Sequence, residues 1–168
     1  MSFLREILAD SLDYEGLAHV IEKWVSEPSN VSFMMLRDEA SNIKPDSPLR
    51  DSDYGGAYRG IRWTPELQKN LSKKNQKIKI PAGSWTYDED EAIRFAKGYP
   101  KGLVIYRSFT SADIVLNLQA CIEDAELKKL LHQSTIDTIR TEGEIVLTEC
   151  EVTKDNVEIV EEDEGDDF

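Results

Sequence analysis

Apolar residues recur every three or four positions at the start of the chain. Phe3, Leu4, Ile7, Leu8 and Leu12 make one stripe, and Leu17, Val20, Ile21, Trp24 and Val25 make a second. That spacing lines side chains along one face of a helix, so two short amphipathic helices are predicted over residues 3–12 and 14–25, broken near Asp13. His19 and Trp24 read as packing residues of those helices. Residues 31–36 form an apolar run compatible with strand or helix, and residues 41–56, rich in Ser, Asn, Asp, Pro and Gly, have the chemistry of a loop.

From residue 57 the period shortens to two. Residues 57–63 read as a strand with Tyr58, Gly60 and Arg62 on one face and Arg59, Ile61 and Trp63 on the other. Thr64 and Pro65 have the residue types that cap and open a helix. Residues 78–80 read as a strand running through 81–83 into Ser84-Trp85-Thr86, where Ser84 and Thr86 share a face. The acids from Asp88 to Glu91 suit the positive end of a helix dipole, and that helix stops at Gly98. Strands are predicted over 103–107 and 113–118, a helix over 121–132 and a polar loop over 133–141. A strand over 142–148 and a last one over 157–160 follow. Helices followed by strands and helices in no regular alternation predict an α+β domain with mixed or antiparallel sheets.

Composition narrows the classes. A chain of 168 residues, 40% hydrophobic and 32% charged, is expected to form one domain over residues 1–160. Residues 1–30 are its helical N-terminal part. No run approaches the roughly 20 apolar residues of a membrane span, and the first residues lack a signal-peptide pattern. Cys121 and Cys150 make no disulfide framework, and neither the cysteines nor His19 and His132 fall at metal-ligand spacing. A cytoplasmic protein without a metal is expected. Net charge is −13, of which seven charges come from residues 158–168, leaving six on the first 157 residues. An acidic surface argues against nucleic acid as partner, and residues 161–168 are expected to be a disordered acidic tail.

Three groups carry candidate chemistry. In a strand over 142–148, Glu142 and Glu144 point to the same side while Ile145 and Leu147 point to the other, so two carboxylates converge on one spot. Such a pair suits cleavage of a glycosidic bond. Arg59 is an arginine among inward-facing residues, either an anion contact or half of an ion pair. Ser84 and Thr86 are small hydroxyls able to fix a neighbouring carboxylate.

Taken in order, Tyr58-Arg59-Gly60, Ser84-Trp85-Thr86 with the Ala92 to Ala96 helix, and Glu142-Gly143-Glu144-Ile145-Val146-Leu147 resemble the Arg–Ser–Glu class of mono-ADP-ribosyltransferases, a class of bacterial toxins and bacteriophage enzymes. The resemblance covers residues 57–160. It implies an ADP-ribosyltransferase-like fold of two small packed mixed or antiparallel sheets with N-terminal helices, NAD as substrate, and a target protein in the cytoplasm, including that of a host cell. Arg59 would hold the phosphate and ribose side of NAD, the backbone of Gly60 the nicotinamide amide, and Thr86 and Phe95 would border the cofactor. Ser84 would brace Glu144, which stabilises the oxocarbenium ion, while Glu142 orients or deprotonates an acceptor arginine. Residues 133–141 would face the target. Trp85, bulky for the middle of its motif, is read as core in preference to a residue flanking the nicotinamide. Two other readings accompany this one: an NAD glycohydrolase using the same pocket with water as acceptor, and a non-catalytic acidic protein that occupies a basic partner.

Overall fold

The computed structural model describes residues 12–73 and 76–161. Residues 3–11 of the first predicted helix and the acidic tail after residue 161 lie outside the described residues.

Helix α1, Tyr14–Ser26, starts where Asp13 accepts a hydrogen bond from the Gly16 amide. Helix α2, Asn30–Ala40, is capped by Ser29, which assigns the apolar run at 31–36 to a helix. Strand β1 is Gly56–Arg62. Helix α3, Pro65–Leu71, has the predicted Thr64 cap, whose hydroxyl accepts from the Leu67 amide. Strands β2, Ile78–Ile80, and β3, Gly83–Thr86, follow, then helix α4, Glu89–Lys97, capped by Asp88. Strands β4, Lys101–Ser108, and β5, Ile114–Leu116, precede helices α5, Leu118–Glu123, and α6, Ala125–Leu130. Helix α7 is Gln133–Glu142, and strands β6, Glu144–Leu147, β7, Cys150–Val152, and β8, Val157–Glu161, complete the domain.

The α+β architecture agrees with the sequence pattern, with four differences in detail. Residues 78–86 are not one strand: β2 and β3 belong to different sheets. The helix expected over 121–132 is interrupted at Asp124, which ends α5 and caps α6 by accepting from the Glu126 and Leu127 amides. Strand β7 was hidden between polar residues. The largest difference is α7, a helix where residues 133–141 read as a loop. Its apolar positions are few, Ile136 and Ile139, but its start is held from outside. Glu22 of α1 accepts from the His132 amide at 2.6 Å and from the Thr135 hydroxyl, supplying a negative charge at the positive end of the helix.

All strand pairs among the described residues are antiparallel, one of the two pairings expected. One sheet has the order β5-β6-β3-β1-β4-β8 and the other is β2-β7. Ile78, Ile80 and Val152 of the small sheet pack on Ala57, Trp85, Ile105, Ile145 and Leu147 of the large one. The opposite face of the large sheet carries helices. Those of the β5–β6 end share a core in which Leu17, Ile21, Leu36, Leu118, Leu127 and Ile139 join Val146, each such side chain worth about 1.5–3 kcal/mol on burial. Helix α4 covers the β1–β4 end by packing Ala92 and Ala96 on Val104 of β4.

The large sheet is nearly divided. Strand β1 pairs with β4 from Gly56↔Ser108 to Arg62↔Gly102, and β3 pairs with β6 from Gly83↔Leu147 to Thr86↔Glu144. Between these halves the register is Tyr58↔Thr86 alone. Beyond that pair β1 and β3 diverge, and the gap opens between the two groups of helices.

Candidate functional site

That gap holds a pocket of about 180 Å³ lined by Tyr58, Arg59, Gly60, Ser84, Trp85, Thr86, Ala92, Phe95, Glu142 and Glu144. Every residue singled out in the three motifs therefore borders one cavity, and strand alternation decides which side chains enter it. Tyr58, Thr86 and Glu144 are cross-strand neighbours in one row. Ser84, on the same face as Thr86, is the diagonal neighbour of Glu144 across β3 and β6, close enough for contact.

Glu144 is 5% exposed. Its Oε2 accepts a hydrogen bond from the Ser84 hydroxyl and a second, 2.7 Å long, from the indole N–H of Trp24 on α1. Burial raises the carboxyl above the ordinary glutamate range, and the two hydrogen bonds work against that rise. The Thr86 hydroxyl oxygen accepts from the Asp88 amide at 3.0 Å, which ties the end of β3 into the start of α4.

Glu142 reaches the pocket by another route than the one expected. It is the last residue of α7, not part of a strand. Gly143 follows in the left-handed region, φ 56° and ψ 43°, with its amide donating to the Ile139 carbonyl, and Glu144 begins β6. A helix stop of this kind reverses the chain within one residue, so the two carboxylates meet across a helix-to-strand corner. Glu142 is half-buried, and its carboxyl is pushed up by burial, then by the charges of Glu144 and Glu91, against the lowering effect of Arg94. Glu91 is itself buried and accepts from the Arg94 guanidinium, at 3.0 Å from Nε and also from Nη2. Glu142 also lines a second hollow of about 250 Å³ with Arg94, Asp137, Thr138 and Thr141. It stands between an inner pocket and an outer, acid-bearing groove.

Gly60 lies under α4. A Cβ there would sit 2.3 Å from the Ala92 carbonyl oxygen and 3.0 Å from the Cβ of Phe95, so only glycine lets the helix approach this strand. The close approach also brings Phe95 to the pocket wall, where the ring is 44% exposed.

Arg59 does not join the carboxylates. Its side chain leaves β1 on the opposite face, as the strand pattern predicts, and Nη1 donates to the Pro81 carbonyl at 3.0 Å. The guanidinium lies 5.8 Å from the centre of the Trp85 ring, and Arg107 lies 5.4 Å from the same ring. Burial pulls the Arg59 guanidinium below its usual range. Of the two readings given to this residue, the ion pair has no counterpart among the described partners, which are a carbonyl and an indole. Trp85 is core, at 2% exposure.

The site has members that the motifs did not flag. Trp24 looks like any aromatic in a helical stripe, and nothing in its neighbourhood distinguishes it. Glu91 and Arg94 stand three residues apart, a spacing that brings side chains together on a helix, yet the acids from Asp88 to Glu91 read only as charges suited to the helix dipole. No group of three or more His, Cys, Asp or Glu side chains among the described residues is arranged to hold a metal ion, and Cys121 and Cys150 are free thiols. No described helix is long and apolar enough to cross a membrane. Compared with known proteins, the chain matches no family model, no curated protein and no solved structure.

Proposed function

We propose that this chain is a mono-ADP-ribosyltransferase with an ADP-ribosyltransferase-like fold, which cleaves NAD and passes ADP-ribose to an arginine of a target protein. The observation that carries the reading is the pair of carboxylates in different settings. Glu144 is buried and held by Ser84 and Trp24, and Glu142 is half-buried at the boundary between the pocket and the outer groove.

NAD carries its own cationic leaving group, so bond cleavage needs charge stabilisation in a dry, oriented site more than a proton donor. The C1′–N bond of the nicotinamide ribose breaks, and nicotinamide departs as a neutral molecule with the bonding electrons. Glu144 accepts a hydrogen bond from the ribose and faces the positive charge developing at C1′. A pocket of about 180 Å³ admits a ring and part of a ribose, and the remainder of the dinucleotide lies outside it. Gly60, Phe95 and Tyr58 form the apolar wall against which the nicotinamide stacks.

An arginine acceptor arrives protonated and is a poor nucleophile in that form. Glu142 takes its proton as the new C1′–N bond forms, a task suited to a carboxylate whose affinity for protons is raised. The outer groove with Asp137, Thr138 and Thr141 gives the incoming guanidinium an acid-bearing approach, which favours a side-chain acceptor over water. In this reading Arg59 supports strand β3 through the Pro81 carbonyl and Trp85.

The test is incubation of wild-type protein and Glu144→Ala with labelled NAD, with and without a cell lysate, following nicotinamide release and label transfer together. The expected result is lysate protein labelled only by the wild type, with the label mapped by mass spectrometry to arginine side chains. Nicotinamide release without transfer replaces the reading by a glycohydrolase. Release by neither pathway across several lysates removes the catalytic reading.

A further inference from the structure

We propose that Trp24 is a positioning residue for Glu144, so that helix α1 is part of the active site and not only of the core. The proposal rests on the reading of Glu144 as the NAD-cleaving carboxylate. The indole N–H reaches Oε2 at 2.7 Å in a buried setting, across 120 residues of sequence. The Ser84 hydroxyl donates to the same oxygen. Both donors thus converge on Oε2, and Oε1 has no hydrogen bond from any described residue while Glu144 lines the pocket. The carboxylate is divided into a held oxygen and a free one, and the free one is available to the ribose.

The two donors are not equivalent. A serine hydroxyl donates or accepts, so Ser84 alone tolerates a protonated Glu144 by turning its hydrogen. An indole N–H only donates. Trp24 therefore always donates to Oε2, and that bond is stronger to an ionised carboxylate than to a neutral carboxyl, which favours ionisation in a place where burial disfavours it. The other charged groups facing this corner are Glu142 from α7 and Glu91 and Arg94 from α4. The two acids oppose ionisation of their neighbours, and Arg94 is engaged with Glu91. Arg59 is on the far face of the sheet. No cation bonds to Glu144 among the described residues, and Ser84 and Trp24 are its two hydrogen-bond donors.

The donor is also rigidly placed. The Trp24 ring packs edge-on to Phe33 of α2, with centroids 5.9 Å apart. Two residues earlier, Glu22 binds the start of α7. Helix α1 therefore holds the α7-to-β6 segment at both ends, at His132 through Glu22 and at Glu144 through Trp24. A residue that merely fills core volume has no reason to set the ionisation of a carboxylate, and this separates the two roles experimentally.

The experiment compares wild type with Trp24→Phe, which keeps the aromatic ring and loses the N–H. The expected result is a kcat for nicotinamide release lower by about 10- to 100-fold, a KM for NAD within about twofold, and an acid limb of the kcat–pH profile displaced to higher pH. A folded Trp24→Phe protein with wild-type kcat and an unmoved acid limb overturns the proposal. A readout without turnover accompanies it. The chain has three tryptophans, and one indole ¹⁵N–¹H resonance of the wild type is expected to follow a carboxyl titration that disappears in Glu144→Gln. If Trp24→Phe does not fold, that resonance decides: movement with the titration supports the proposal, and no movement overturns it. Wild-type protein inactive on NAD sinks the catalytic reading, and the indole titration then reports separately whether Trp24 controls the ionisation of Glu144.

Discussion

Glu142 closes helix α7 and Glu144 opens strand β6, and the single residue between them has a positive φ of 56°. The relation of the two carboxylates is therefore set by one backbone conformation that side chains with a Cβ adopt at a cost of about 1–2 kcal/mol. A Cβ at Gly143 would also lie 3.3 Å from the Thr86 hydroxyl. Gly143→Ala is expected to lower thermal stability by roughly 2–8 °C and to reduce arginine modification more than it reduces NAD cleavage, because Glu142 is the carboxylate on the displaced side. Calorimetry paired with the two activity assays checks this, and equal loss of both activities counts against it.

In the proposed reaction the two glutamates divide the work, so their replacement is expected to separate the two half-reactions. Glu142→Gln is expected to leave nicotinamide release within a few-fold of wild type and to lower transfer to arginine by about 100- to 10,000-fold. The base must be ionised to act. Because burial, Glu144 and Glu91 raise its proton affinity, the acid limb of transfer should stand above the ordinary glutamate value of about 4.3. A transfer profile flat down to that value is inconsistent with this assignment.

Stability should move opposite to activity at Glu144. Its folded-state proton affinity is raised by burial, so between the unfolded and folded values the native state binds the extra proton. Stability falls as pH rises through that window and the penalty is complete above it. Glu144→Gln keeps an oxygen for Ser84 and Trp24 but has no charge to bury. Its melting temperature is expected to exceed that of wild type at pH 7, by about 2–4 °C per kcal/mol recovered, and to converge with it near pH 4, while kcat falls by about 100-fold or more. Melting curves across pH that stay parallel contradict the account.

Arg59 supplies a discriminating substitution. With its guanidinium on Pro81 and Trp85, on the face away from Ser84 and Glu144, Arg59→Lys is expected to cost roughly 1 kcal/mol of stability. The KM for NAD should remain within about threefold. A tenfold higher KM at unchanged melting temperature is the opposite outcome and assigns the guanidinium to the dinucleotide phosphates.

Strands β1, β3, β4 and β6 and helices α1, α3 and α4 were legible because each has a clear period or a clear cap. The three motifs that resemble a known class did converge on one pocket. What was not legible depends on distant partners. Residues 133–142 hold only two buried apolar side chains, Ile136 and Ile139, and become a helix because Glu22 waits at one end and a left-handed glycine at the other. Reading Glu142 into the strand followed from missing that stop, and the side-by-side carboxylates then came from the wrong geometry. Trp24 was invisible as a site residue for a related reason: periodicity reports which face of a helix is inward, not what its one polar atom meets there. Strand β2 was read at its residues, but β7 exists by pairing with it under the large sheet, which no local pattern announces.

A sheet whose halves meet at Tyr58↔Thr86 alone has a mechanical seam. Bending stiffness in a sheet comes from rows of ladder hydrogen bonds, and along this seam one residue pair substitutes for a row. The β5-β6-β3 block, with Glu144 and the helices behind it, and the β1-β4-β8 block, with Gly60 and Phe95, are joined instead from the other face, where Ala57 and Ile105 of one share a core with Trp85, Ile145 and Leu147 of the other. The cavity therefore opens where the ladder is interrupted, over a floor that side-chain packing keeps continuous.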